Sequence, residues 1–381
     1  MSIVYQSEAK PHLTFMSWPE YLPDALNRYY FDDSGGQGVD VYVLDTGAHL
    51  EHPVCFAHPR NASCELLMTA PVLQEFDLVR DRSRYIHVGE GGDAKDNDCK
   101  SHGTSMLSLV AGKTVGVAKN INPIIVRMPC RPHATIKNFP EAMQGSDWID
   151  ALGMINDELD GSSPKVILMA SGWKAAQFPG PDGSEQFDGF VLRHKDLLDS
   201  LASKGAILVT GSGNDGAARV FVVPAIYGKP GLGSQHVPSL IVAGGVWADG
   251  VSGLKGDSEP AAGVPHVYAP GYGVYSVAQR DLWKPEFDNG IMTTSGTSCS
   301  AALTAGLAAY YIRLAQLGLV DSATSPQAIK DLIVKTSWSR KDIFDHPRPG
   351  VWNGADVVSS ANEWTPNGAS RRSLFGRRVY V

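Results

Sequence analysis

The chain predicts an α/β fold with a mostly parallel central sheet, and three observations carry that prediction. Apolar runs of five to seven residues alternate with longer amphipathic segments through most of its length. The runs are separated by glycine-containing turns, and the chain holds 40 glycines in 381 residues. Hydrophobic residues make up 43 % and charged residues 19 %, a composition that favours a packed core over extended disorder.

Taken in order, residues 1–30 read as an N-terminal arm laid on a domain, because Trp18-Pro19 and Pro23 interrupt any long helix. After the Gly35-Gly36-Gln37-Gly38 turn, the run from Val39 to Leu44 fits a buried strand that delivers Asp45 at its carboxyl end. The polar span 52–100 reads as a loop insertion. Small and apolar residues from Ser105 to Ala111 predict a buried helix, followed by a strand at Ile124 to Met128. A helix is predicted at Ser146 to Leu159, a strand at Lys165 to Ala170, a helix at Phe190 to Ser203, and strands at Ala206 to Thr210 and Leu240 to Val246. The stretch beginning at Ser298 is apolar on all sides and rich in alanine, which predicts a helix inside the core. A last helix is expected at Pro326 to Thr336. The domain so delimited runs from 31 to 362, with a polar tail at 363–381.

The formal net charge of −7 argues against a nucleic-acid partner, which would need a basic face to neutralise phosphates. No apolar run reaches the roughly 18 residues of a membrane span, so no membrane partner is expected. The first ten residues lack a secretory apolar core. Localisation stays open: secreted if a signal and propeptide have been removed, otherwise intracellular. Five cysteines, at 55, 64, 99, 130 and 299, leave at least one thiol unpaired. A bridge among Cys55, Cys64 and Cys99 and free thiols are both open, and the sequon at Asn61 matters only on export.

Three strings follow one another: V-Y-V-L-D-T-G with Asp45, S-H-G-T with His102, and S-G-T-S-C-S-A with Ser298. A serine hydroxyl is a weak nucleophile at neutral pH. It needs an imidazole to take its proton and a carboxylate to hold that imidazole in the right tautomer. Each string offers one of these parts, and their order, Asp then His then Ser, distinguishes one of the known arrangements of this triad from the others. Taken singly, each string has a plain structural reading as a turn, a helix start or a cap. Cys299 beside Ser298 is the alternative nucleophile, disfavoured by the register of G-T-S at the helix start. His49 and His52 have a spacing that suits a metal, but no partner ligands accompany them, and no metal or cofactor is expected.

On these strings, together with G-V-A at 116–118, V-I-L-M-A-S-G at 166–172, G-S-G-N-D-G at 211–216 and Y-A-P-G at 268–271, the chain resembles the subtilases, nearest the proteinase K-like group. The resemblance covers about residues 30–362. It implies a three-layer α/β/α subtilisin-like fold and a serine endopeptidase acting through an acyl-enzyme, with Asp45, His102 and Ser298 as triad and Asn214 in the oxyanion hole. It implies that an extended peptide or protein substrate lies between Ala170-Ser171-Gly172 and Gly211-Ser212-Gly213, with an apolar or aromatic side chain in the pocket. A propeptide or protein inhibitor is a further expected partner. A precursor-processing or peptide-transferring member, and a non-proteolytic peptide binder, are the alternative readings. The chain departs from the family pattern at Trp173, whose bulk is expected to narrow the cleft, and at Cys299 and Ala302. It departs again at His266, where a calcium-binding Asp is usual and neutral imidazole is a poor ligand for a hard cation.

Overall fold

In the computed structural model of the protein, the described residues are 2–19, 27–50, 75–89, 98, 102–129, 131–132, 141–142, 145–174, 189–248, 256–277, 291–320, 323–341, 347–355 and 362–363. Strand Asp40–Asp45 lies inside a nine-stranded sheet. The spatial order is 338–341, 347–350, 267–272, 241–247, 206–211, 165–169, 40–45, 122–127 and 84–87. Every neighbouring pair is parallel except 338–341 with 347–350.

Residues alternate between two apolar layers along each central strand. Val41, Val43, Val166, Leu168, Ile207 and Val209 face one layer, while Tyr42, Leu44, Ile167, Met169, Ala206 and Leu208 face the other. With both faces covered, these strands read in sequence as unbroken apolar runs rather than polar–apolar alternations. Helices His102–Ala111 and Thr297–Gln316 pack in the first layer, through residues such as Leu107, Val110, Leu303 and Leu307. Helices Gly145–Glu158 and Gly189–Ser203 pack in the second, through Trp148, Leu152, Leu198 and Leu201. The result is the three-layer α/β/α arrangement. Alanines 301, 302, 305, 308 and 309 are fully buried, and their small side chains admit a twenty-residue helix to the middle of the layer.

The expected elements occur with boundaries shifted by one to three residues, as at Gly145–Glu158, Ile241–Trp247 and His102–Ala111. Further strands had no sequence expectation. Arg84–His87 forms an edge strand inside the span read as a loop insertion, and its R-Y-I-H sequence has no continuous apolar run. Val267–Tyr272 contains Pro270 and Gly271, which signal a turn in sequence yet lie here near the carboxyl end of a strand. The N-terminal arm is also more than a surface strap. Ile3–Gln6 pairs antiparallel with Tyr29–Asp32 and parallel with Asn362–Glu363, so a boundary at 30 cuts a strand. Beyond Glu363 the expected polar tail lies outside the described residues, as do Cys55, Cys64, Cys99, Cys130, Asn61 and His52. Among the described residues no helix is long and apolar enough to cross a membrane.

The chain leaves strand 40–45 toward the 84–87 edge, returns through 122–127, and then crosses to 165–169 on the opposite side. The winding reverses at that strand. In open parallel sheets such a reversal opens a crevice at the carboxyl ends of the strands, and Asp45 is the last residue of its strand.

Candidate active site

Asp45 is fully buried, and its Oδ1 and Oδ2 lie 2.8 and 2.9 Å from His102 Nδ1. The Thr46 amide donates to Asp45 Oδ1 at 2.8 Å, which sets the carboxylate's orientation. An acceptor carboxylate requires the proton on Nδ1, so Nε2 keeps its lone pair for the open side. The His102 side chain is 36 % exposed, and it opens on a cavity. Burial tends to lower its pKa. The negative charge and hydrogen bond of Asp45, with the charge of Asp98 behind, outweigh that tendency, and the net shift is upward from the ordinary 6.5.

His102 is the first residue of its helix, and that helix start is pressed against the turn following Asp45. The Gly103 amide donates to Thr46 Oγ1 at 3.0 Å. A β-carbon at Gly103 would fall 2.0 Å from the Gly47 carbonyl oxygen, so only glycine permits the approach.

Ser298 is the second residue of helix Thr297–Gln316 and is 9 % exposed. Gly296 precedes the helix at φ 146°, a conformation that favours glycine. Asn214 follows strand Ala206–Gly211. Its Oδ1 accepts from the Thr297 amide at 2.7 Å and from Thr297 Oγ1 at 3.1 Å. An amide whose oxygen is held in this way turns its NH₂ to the other side. A β-carbon built on Gly296 would sit 3.1 Å from Ser298 Oγ and 3.4 Å from Asn214 Nδ2, so the hydroxyl and the amide converge on one spot.

His102, Asn214 and Ser298 line one cavity of about 310 Å³. Its walls are Ala170, Ser171, Gly172 and Trp173 on one side, with Thr210, Gly211, Gly213 and Asp215 on the other. Strands 165–169 and 206–211 are paired neighbours, and the cavity opens where they separate beyond Met169 and Gly211. Of the six expected wall residues, Ser212 is the exception. It is fully buried and does not line the cavity, because successive side chains of an extended segment point to opposite faces.

Trp173 lines the cavity while its ring packs edge-on against His194 at 5.1 Å and near Trp148 at 6.0 Å, in the second apolar layer. Cys299 is 1 % exposed, and burial pushes its thiol up to about 12, which removes it as a thiolate nucleophile at neutral pH. His266 accepts from the Val242 amide at 2.9 Å through Nδ1 and has Lys330 Nζ 3.0 Å from Nε2. Burial and the Lys330 charge take it down to about 3. Among the described residues no cluster of three His, Cys, Asp or Glu side chains could hold a metal.

Sequence reasoning passed over Thr297, which orients Asn214, and Asp98, which reaches Thr46 and Thr104 from the span read as an insertion. Thr297 stood in the G-T-S string. Asp98 stands in a run of aspartates, asparagine and lysines with no periodicity to single it out.

Comparison with known proteins bears on the family and the fold. Subtilisin-like protease 7 of Trichophyton equinum is 28 % identical over 293 residues, 76 % of this chain and 56 % of that protein. Subtilisin-like protease 2 of Arthroderma otae is 26 % identical over 357 residues, covering 92 % of this chain and 68 % of that protein. The chain thus spans little more than half the length of the first of these relatives. The crystal structure of a cold adapted subtilisin-like serine proteinase superposes with a TM-score of 0.62 at 21 % identity, covering 92 % of this chain and all of that one, and so shares its fold. The profile of the subtilase family matches residues 36–372, and the chain belongs to that family.

Proposed function

We propose that the protein is a serine endopeptidase in which Ser298 attacks the peptide carbonyl. His102 takes the serine proton through Nε2 and returns it to the leaving amine, while Asp45 holds the imidazole tautomer and stabilises the imidazolium. The observation that carries this reading is the Asp45–His102 pair opening on the same cavity as Ser298. The carbonyl oxygen becomes negative in the tetrahedral intermediate and requires donors already in place. Asn214 Nδ2 is one. The Ser298 amide is the other: its neighbours' amides are committed, that of Thr297 to Asn214 Oδ1 and that of Cys299 to the Gly296 carbonyl. The helix start adds a favourable partial charge at that point.

An extended substrate segment lying between 170–172 and 211–213 would add backbone hydrogen bonds, with its side chain entering the 310 Å³ cavity. The lining near the cavity walls is apolar or small, apart from Asp215 and the reacting groups, which suits apolar and aromatic side chains.

Treatment with a phosphonofluoridate and peptide mapping tests the assignment. The label is expected on Ser298, and it is expected to disappear in His102→Ala. A folded protein that takes no label at Ser298 would refute the peptidase reading in favour of peptide binding alone. With labelling established, product masses from a mixed peptide library separate hydrolysis from transfer to a second peptide.

A further inference from the structure

We propose that Asp98 is a positioning residue for His102: a second buried carboxylate that ties the turn after Asp45 to the first turn of the helix carrying the imidazole. The proposal rests on the reading of His102 as the base. Asp98 is 6 % exposed. Its Oδ1 accepts from Thr46 Oγ1 at 2.5 Å, and its Oδ2 accepts from the Thr104 amide at 2.7 Å and from Thr104 Oγ1 at 2.6 Å.

These bonds form a closed circuit around the Asp45–His102 pair. Thr46 follows Asp45 directly, and its amide donates to Asp45 Oδ1. Its hydroxyl donates to Asp98 and accepts from the Gly103 amide. Thr104, two residues after His102, donates twice to Asp98 and accepts from the His49 amide through its hydroxyl at 2.9 Å. A carboxylate is acceptor-only, so Asp98 assigns the direction of every hydroxyl in the circuit. Both threonine hydroxyls donate to Asp98 and are thereby free to accept from the backbone. An asparagine at 98 would present an NH₂ group to one of these donors and reverse that order.

The position also has an electrostatic consequence. A carboxylate on the amide of a helix's first turn is favoured by the helix dipole and is held there. Among the described residues, the ionisable groups placed around His102 are Asp45 from its strand end, Asp98, His49 from the intervening turn and Asp215 across the cavity. The charge on Asp98 adds to that of Asp45 in favouring the protonated imidazole. During acyl transfer the imidazole becomes positive, so a second fixed negative charge stabilises the same state that Asp45 stabilises. Geometry and charge act together on one ring, without Asp98 touching the substrate.

The test compares the whole chain with Asp98→Asn and Thr46→Val on one chromogenic peptide, recording kcat, KM and the pH profile of kcat/KM. Asp98→Asn is expected to lower kcat by about 10- to 100-fold with KM little changed. It is also expected to move the acid limb to lower pH, because the removed charge had favoured protonation. Thr46→Val keeps the carboxylate and breaks the tie, so kcat falls while the acid limb stays near its original place. A folded Asp98→Asn with unchanged kcat and an unchanged acid limb overturns the proposal. If Asp98→Asn does not fold, Thr46→Val decides: normal kcat in that variant overturns the positioning role. Failure of the base assignment is distinguishable, because Ser298 would then take no phosphonofluoridate in the unsubstituted protein.

Discussion

One amide group at Asn214 serves two purposes. Its oxygen is spent on Thr297, through two hydrogen bonds, and that commitment is what aims its nitrogen at the cavity. A leucine of similar volume would fill the place without donating. Asn214→Leu is therefore expected to reduce kcat by about 10² to 10³, or 2.7 to 4 kcal/mol of transition-state stabilisation, with KM little altered. Steady-state kinetics on a short peptide reads this directly, and a KM effect with normal kcat would place Asn214 in substrate binding instead. The contrast between Ser298 and Cys299 belongs here too. Adjacent in sequence, they point to different surroundings on the helix, one lining the cavity and the other sealed in the core with its thiol pushed up to about 12.

Two helix starts bring the proposed reacting groups to one cavity. Helix 297–316 presents Ser298 in its first turn, and helix 102–111 presents His102 as its first residue. The second helix owes its place to the near-contact of Gly103 with the Gly47 carbonyl. Gly103→Ala would force that backbone contact apart, since a β-carbon 2.0 Å from an oxygen has no permitted arrangement. The expected cost is about 2 kcal/mol of stability, read by urea unfolding, with at least a tenfold loss of kcat as His102 withdraws from Asp45. Unchanged kinetics would show that the turn yields without disturbing the pair.

Across the whole molecule, the segment after helix 102–111 is held by an internal amine. Lys119 is fully buried, and its Nζ donates to the carbonyls of Lys113 at 2.8 Å and Gly116 at 2.9 Å, with Gly112 at 3.4 Å. Burial takes its amine down to about 7, against the opposing charge of Glu75, and burial likewise pushes the Glu75 carboxyl up. Glu75 in turn accepts from the Thr114 and Val115 amides, and His12 of the N-terminal arm bonds the Val115 carbonyl at 2.9 Å. The segment 112–116 thus meets the arm through His12, the described part of the 52–100 span through Glu75, and Lys119 through its carbonyls, just beyond the far end of helix 102–111. Lys119→Ala leaves those carbonyls without their donor. It is expected to lower unfolding free energy by about 1–3 kcal/mol in urea titration. A loss below about 1 kcal/mol would mean that the carbonyls find other donors when the amine is removed.

Most of the strand and helix succession was legible because both faces of the sheet are buried. Runs such as Val166 to Met169 and Ile207 to Val209 have no polar position to mislead the reading. Arg84–His87 and Val267–Tyr272 were illegible for the opposite reason: a polar edge strand and a strand containing Pro and Gly look locally like loops. At the site, Asp45, His102 and Ser298 could be named from short strings, because the chemistry of serine activation demands those residue types, whereas Asn214 was named only through the resemblance of G-S-G-N-D-G to the subtilases. Convergence itself is not local. Whether Ser298 and His102 open on one cavity, whether Ser212 lines it, and that Asp98 reaches Thr46 and Thr104 all depend on strand order and helix docking. Those are set by contacts between residues far apart along the chain, which no window of neighbouring residues contains.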